Sequence, residues 1–413
     1  MKKKKLYIFN ATSRAAAYGI GSYIDQLLNA LKNTDWEFTL VWLQAQGNNV
    51  EIEEKEGYKQ INIPFPHSQV ENAGEYYNRN IAYLLKEFIT EEKNIEPVFH
   101  LNFMTNPGLV KQLKKHFRCK IILVSHYTDW SFSLLGDYSR LKKILQKPKK
   151  ELKDKLEKAI VKGLEEDVRM INKVNCFVCV AQHTLDEFQK SGNIQQNKTQ
   201  VINNALEDVY TPLPDKEKSV LRKKYHLEED TKVILFAGRL DEVKGIAYLI
   251  RAFQKVLVAH PDSRLLIAGE GNFNEWLKES ADCWSKITFT GRIDKKKLYE
   301  LYSLADMGIA CSLHEEFGLV AIEMMMHELP LIVTKTGGLD EIVEDGISGL
   351  KIPVRTLKGN RQIDVNGLAG KINYLLDHPS QAKELGKNGR KRFLEKYEWS
   401  LFKEKMINLY NNI

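Results

Sequence analysis

At 413 residues, 43% hydrophobic and 28% charged, the chain has room for two or three folding units, which excludes a lone small module. With 11 prolines, 25 glycines, 17 tyrosines and 17 phenylalanines it is neither collagen-like nor wholly disordered. The net charge of +7 is matched by one window, Tyr138 to Gly163, which holds ten Lys or Arg against three acids; the rest sums to zero, so no general nucleic-acid footprint is expected.

The Lys2–Lys5 run is followed by a short apolar stretch, Leu6–Phe9, well below the roughly 7–15 residues of an export signal. No run approaches a membrane span. The five cysteines have no framework spacing, and Cys176-x-x-Cys179 has no second pair to complete a zinc site, so buried free thiols and a cytoplasmic location are expected.

Predicted strands in the first half are Leu6–Asn10, Glu37–Leu43, Pro97–Leu101, Lys120–His126, Cys176–Ala181 and Gln200–Asn203. Helical patterns cover Ser22–Lys32 and Tyr76–Phe88. A basic helical insert, about 131–170, carries an apolar stripe of Leu141, Ile144, Leu145, Leu152, Leu156 and Ile160, broken at Pro148. It reads either as a surface for an anionic membrane or acidic acceptor, or as a helical hairpin packed on its own domain. After Pro212 and Pro214 a second series starts: strands Val233–Ala237, Arg264–Ala268, Ile287–Thr290, Gly308–Cys311 and Leu331–Thr334, with helices such as Ile246–Ala259 and Leu298–Ala305. The expectation is an α/β protein of two doubly wound, Rossmann-like domains, 1–208 and 209–389, facing across a cleft, with a terminal helix in 390–413 whose pattern runs from Arg390 to Asn411. Such sheets bind ligands at the carboxyl ends of their strands.

The richest stretch for chemistry runs from Ser312 to Met326. A helix beginning near Gly318, just after a strand, leaves the amides around Leu319 and Val320 unpaired and forms an anion site. Glu323, one turn in, suits the neutral hydroxyls of a ribose, and Glu315 lies in the loop before the helix. The plain alternative has Glu315 and Glu316 capping the helix and Glu323 solvated. Arg239 and Lys244 follow a strand end, where a fork of donors and a point charge could together neutralise a diphosphate; the plain alternative is a pair of inert surface cations. Gly337 and Gly338, read as ending a strand, allow close backbone approach. His126 ends another strand and His100 a third; Asp129 lies in the loop after His126. Gly19-x-Gly21-x-x-Ile24 lacks the third glycine of a dinucleotide fingerprint and begins late after its strand, against a nicotinamide cofactor.

Glu315-x7-Glu323 enclosing Phe317-Gly318-Leu319 resembles the signature of retaining glycosyltransferases of family 4, bacterial type, which have the GT-B fold. Further pieces fall in that family's order across nearly the whole chain. They are Tyr18-Gly19-Ile20-Gly21, His126, Val201–Asn204, Phe236–Leu240 with Lys244-Gly245, Ala268–Gly271, Gly291-Arg292-Ile293, Gly337–Val343, Asp345-Gly346 and Gly349-Leu350. The resemblance implies transfer of a sugar from a nucleotide-diphosphate sugar, UDP- or GDP-linked, with retention, by a front-face route in which the departing diphosphate receives the acceptor proton. It implies Arg239, Lys244, Glu315 and His126 as catalytic residues, and Gly19, Gly21, Gly238, Arg292, Ile293, Phe317, Gly318, Leu319, Val320 and Glu323 as donor-binding. No Asp-x-Asp occurs in the sequence, so no metal and no further cofactor is expected, and cations and helix dipoles take over the diphosphate. A saccharide, a lipid-linked group or a peptide is expected as acceptor, and 138–163 is the candidate for peripheral contact at the inner membrane face. A nucleotide-sugar epimerase and a non-catalytic binding subunit are the alternatives; donor hydrolysis without acceptor separates the latter.

Overall fold

The computed structural model describes residues 4–12, 19–65, 73–89, 95–102, 107–357 and 359–413. They divide into two compact units. The first takes in Met1–Leu134, Tyr138–Asn204 and Ser400–Ile413; the second, Leu135–Asp137 and Ala205–Trp399.

The strands of the first unit are β1 (Lys4–Ala11), β2 (Trp36–Ala45), β3 (Glu51–Lys55), β4 (Tyr58–Pro64), β5 (Val98–Leu101), β6 (Lys120–Ser125), β7 (Cys176–Cys179) and β8 (Thr199–Val201). Its helices up to that point are α1 (Gly19–Leu31), α2 (Ala73–Phe88), α3 (Pro107–His116), α4 (Asp129–Ser133), α5 (Tyr138–Leu145), α6 (Lys155–Ile171) and α7 (Gln182–Ser191). Among the described residues the sheet order is β3-β4-β2-β1-β5-β6-β7-β8, parallel except for the β3–β4 pair. β5 and β7 bury every residue, and β6 all but its first, the mark of strands covered on both faces. The chain leaves β1 for β2 on one side and later returns to β5 on the other, so the switch point of this sheet lies between β1 and β5.

The second unit contains α8 (Asp215–Lys224), β9 (Val233–Ala237), α9 (Ile246–Ala259), β10 (Arg264–Ala268), α10 (Phe273–Glu279), β11 (Ile287–Gly291), α11 (Lys295–Leu304), β12 (Met307–Ala310), α12 (Leu319–Met326), β13 (Leu331–Lys335), α13 (Gly337–Ile342), β14 (Leu350–Leu357), β15 (Asn360–Ile363), α14 (Val365–Asp377) and α15 (Pro379–Lys396). Its sheet order is β11-β10-β9-β12-β13-β14-β15, with only β14–β15 antiparallel among the described pairs. The switch point falls between β9 and β12. Side-chain caps set several helix starts: Asp294 accepts from Lys297 N at 2.8 Å to open α11, and Asp364 from Gly367 N at 2.9 Å to open α14.

The run read as one terminal helix is two. α15 stops at Lys396, and Leu206 bonds across the gap, donating to Tyr397 O at 2.9 Å and accepting from Trp399 N at 3.0 Å. The last helix, α16 (Trp399–Asn412), joins the first unit. There Phe402 meets Tyr23 edge-on at 5.5 Å and Tyr410 reaches His100.

The stripe of the basic insert is taken up largely by its own unit: Leu141, Ile144, Leu152 and Ile160 are buried in the first core, Leu145 packs against it, and Leu156 is exposed. No helix among the described residues is long and apolar enough to cross a membrane. Four of the five cysteines are buried, Cys119 is half-buried, and all are free.

Candidate active site

At the switch point of the second sheet, the loops after β9 and β12 touch. Gly245, at φ +72°, lies so close to Cys311 O that a Cβ there would collide with it, and Leu313 N donates to Val243 O at 2.7 Å. This contact brings Lys244 to Glu315, with Nζ 2.6 Å from Oε2. Ser312 Oγ donates to the same carboxylate oxygen at 3.2 Å, and Gly338 N to the Glu315 backbone carbonyl at 2.8 Å. Both charged side chains keep about a fifth of their surface exposed (19% and 22%), so the pair remains open to a ligand.

Arg239 is partly exposed and pairs with Asp241 at 3.1 Å; it and Lys244 thus share the β9 loop, each with its own acid. After β10 and β11, Arg292 Nη1 lies 3.6 Å from Glu270 Oε1, with Ile293 half-buried beside it. Gly238 N donates to Ala268 O and Gly269 N to Gly291 O, tying these loops together.

Gly318 caps α12 in the left-handed region, φ 112°. Ala321 N and Ile322 N donate back to Gly318 O, while the Leu319 and Val320 amides make no backbone bond among the described residues. Phe317 is buried, edge-on to Tyr397 at 5.9 Å, and locks the turn before the cap. The glycine pair opens α13 rather than ending β13: Thr336 is its N-cap, and Gly338 packs against the Phe317 carbonyl.

Glu323 is buried, which overturns the solvated alternative. Tyr302, fully buried on α11, donates to Glu323 Oε2 at 3.1 Å. Burial raises the Glu323 pKa above its usual value, against the opposing pull of Lys295 and the Tyr302 hydroxyl. Behind it, His327 Nδ1 donates to Glu323 O at 2.8 Å and packs against Tyr299 and Tyr302. Glu316 is buried against His314, Oε1 to Nε2 3.2 Å, so it serves the loop's interior and is no surface cap.

The first unit holds the remaining candidates. Gly19 and Gly21 open α1, and Tyr18 lies outside the described residues. His126, just past β6, has Nε2 3.1 Å from Asn102 Oδ1 and meets Tyr23 edge-on at 4.5 Å. His100 is buried and also bonds to Asn102, at 3.0 Å. In the same unit, a cavity of about 110 Å³ is lined by residues that include Tyr127, Asp129, Trp130, Glu166 and Asp167. Burial pushes the Asp167 carboxyl up to about 7 while Trp130 Nε1 donates to it at 3.0 Å.

Asn102, Tyr302 and Asp241 are neighbours that sequence reasoning did not name, and Ser312 and Glu270 fell inside quoted stretches without a role of their own. Only the strand-end position of Asn102, two residues after His100, carries a signal in sequence.

The chain matches the family described as Glycosyltransferase Family 4 over residues 17–208, and that described as Glycosyl transferases group 1 over residues 217–392. It is 29% identical to an uncharacterised glycosyltransferase of Methanocaldococcus jannaschii over 338 residues, covering 76% of this chain and 83% of that protein. Sucrose-phosphate synthase from Thermosynechococcus elongatus superposes with a TM-score of 0.77 at 22% identity, over 99% of this chain and 98% of the other. HepE from Anabaena, solved in complex with UDP-glucose, superposes at 0.70 with 15% identity, over 99% and 100%. At these identities the two structures speak for the fold alone.

Proposed function

Because the chain belongs to the glycosyltransferases of family 4, with the GT-B fold, we propose that it moves a sugar from a nucleotide-diphosphate sugar, UDP- or GDP-linked, with retention of configuration and without a metal. The observation that carries the donor site is the Lys244–Glu315 pair at the β9/β12 switch point, one short loop before the two unpaired amides of α12. A cation and a helix N-terminus on the same sheet edge suit a diphosphate, and a carboxylate held by that cation suits a sugar hydroxyl. The UDP-glucose bound by HepE agrees with a donor of this class.

In the proposed reaction the acceptor oxygen bonds to the anomeric carbon as the bond from that carbon to the diphosphate oxygen breaks, and the acceptor proton passes to the departing diphosphate. Lys244 and Arg239 stabilise the charge left on the diphosphate. Leu319 and Val320 offer amides to it, and Gly238 and Gly318 let backbone approach. Glu315 holds the sugar and Glu323 the ribose, using the oxygen that Tyr302 does not occupy. Arg292 and Ile293 contact the base, Phe317 shapes the turn, and His126 with Gly19 and Gly21 serves the sugar and phosphates from the first unit. The acceptor is a saccharide, a lipid-linked group or a peptide.

The test is a thermal-shift panel of UDP- and GDP-sugars on the full chain, since a ligand that binds the folded state raises its apparent stability. One donor should stabilise the wild type, and Glu323→Ala should weaken that donor by about 10- to 100-fold, the loss of roughly 1.5–3 kcal/mol for a hydrogen-bonded charge. Unchanged donor affinity in Glu323→Ala would refute the ribose role.

A further inference from the structure

Four side chains of the first unit link His126 to the last helix. Asn102 is buried, and its amide orientation is set by Phe9: Nδ2 donates to Phe9 O at 3.2 Å, an atom that only accepts. Oδ1 therefore faces the two imidazoles, with His100 Nε2 at 3.0 Å and His126 Nε2 at 3.1 Å. An amide oxygen donates nothing, so each of those nitrogens carries a proton. In a neutral His100 ring Nδ1 is then bare, and Tyr410 Oη, 2.8 Å away on α16, donates to it. In a neutral His126 ring Nδ1 is bare as well, and no described residue bonds to it. Burial keeps both rings neutral, lowering His100 to about 4 and His126 to about 3. Tyr23 closes the cluster, its hydroxyl 3.3 Å from His100 Nε2 and its ring against His126.

We propose that Asn102 is a positioning residue that locks His126 in the Nε2–H tautomer, so that Nδ1 accepts a hydrogen bond from a sugar hydroxyl and disfavours a phosphate or carboxylate oxygen, which has no hydrogen to give. Tyr410 anchors the far end through His100, which makes the last helix part of the site's support. The hydroxyl contact rests on the sugar-binding role proposed for His126; the tautomer lock does not. The logic is that of a histidine whose second nitrogen is set by the partner of the first.

The experiment is long-range ¹H–¹⁵N correlation of the imidazoles in the full chain labelled at histidine, at pH 7. Wild-type His126 should show the Nε2–H tautomer alone. Asn102→Ala should give a mixture of tautomers. Asn102→Asp should keep Nε2–H and move the His126 titration midpoint upward, because a carboxylate favours the charged ring. Tyr410→Phe, the mildest change, should move the His100 resonances and leave the His126 tautomer in place. A wild-type His126 that carries its proton on Nδ1, or an Asn102→Ala protein with an unchanged tautomer, would overturn the lock. Adding the donor found in the thermal-shift panel should shift Nδ1 of His126, whereas the bare nucleoside diphosphate should not. Equal shifts from both, or none from either, would overturn the sugar contact and leave the lock to the variants.

Discussion

Glu323 is a carboxyl placed where its charge is poorly solvated, and stability should record that. Its folded pKa is raised above 4.5 by burial, with Lys295 and Tyr302 only partly offsetting the effect. Below about pH 4.5 the group is protonated whether the chain is folded or not, and it makes no pH-dependent contribution. As pH rises from there, the unfolded chain gives up its proton first, so folding stability falls until the folded carboxyl also ionises. Glu323→Gln keeps an oxygen for the Tyr302 hydroxyl and removes this ionisation penalty. The ligand-free variant should therefore melt higher than wild type at pH 7 and lose that advantage near pH 4, while its affinity for the donor drops. Melting curves at the two pH values check the first part; an equal difference at both would show that packing and not ionisation sets it. A residue kept at the expense of stability is the pattern expected of a binding group.

Loops at the sheet edge depend on close backbone contacts between elements, and glycine substitutions separate such contacts from ordinary helix preference. Gly338, in the first turn of α13, leaves no room for a Cβ against the Phe317 carbonyl, and its amide bonds to Glu315 O. Gly338→Ala should push α13 off the loop, destabilise by roughly 1–3 kcal/mol as overpacking does, and weaken donor binding. Gly370, exposed in the middle of α14 with open space where a Cβ would stand, is the control: Gly370→Ala should stabilise by about 0.5–1 kcal/mol and leave donor binding alone. Denaturant unfolding with donor titration tests both, and a harmless Gly338→Ala would show the loop to be more yielding than its contacts indicate. The same elements show what was legible in sequence. β9 and β10 match their predicted bounds because buried parallel strands are continuous apolar runs. The β3–β4 hairpin and the β14–β15 pair escape a sequence reading because polar and exposed residues interrupt their apolar ones, as in Glu51–Lys55, where four of five are charged. Glu315 and Glu323 were legible through their spacing around one turn, and Lys244 through its place after a strand end. Asn102 and Tyr302 were not, because what marks them is a partner 24 and 21 residues away in the chain.

For the whole molecule, the +7 charge is the property most readily tested in solution, since its source is confined to Tyr138–Gly163. Within that window Lys147, Lys149 and Lys162 have acidic partners, whereas Lys142, Lys143, Lys150, Lys153, Lys155 and Lys158 are exposed. With most of the apolar stripe buried in the first core, an anionic surface could be met here by charge alone and not by a helix face sunk into lipid. Each lysine close to an anionic surface contributes about 1 kcal/mol, and the attraction is screened over about 8 Å at physiological salt. If this window meets an anionic membrane, changing Lys143, Lys150, Lys153 and Lys158 together to Gln should abolish binding to vesicles rich in anionic lipid, and wild-type binding should fall steeply between low and high salt; a wild type that does not bind such vesicles would leave the insert a hairpin packed on its own unit. Donor affinity should stay the same in the variant, because the Lys244–Glu315 site belongs to the other unit. Vesicle flotation beside a donor thermal shift reads both properties on one preparation. Retained vesicle binding in the quadruple variant would move the contact elsewhere on the molecule, and binding that ignores salt would rule out charge as its basis.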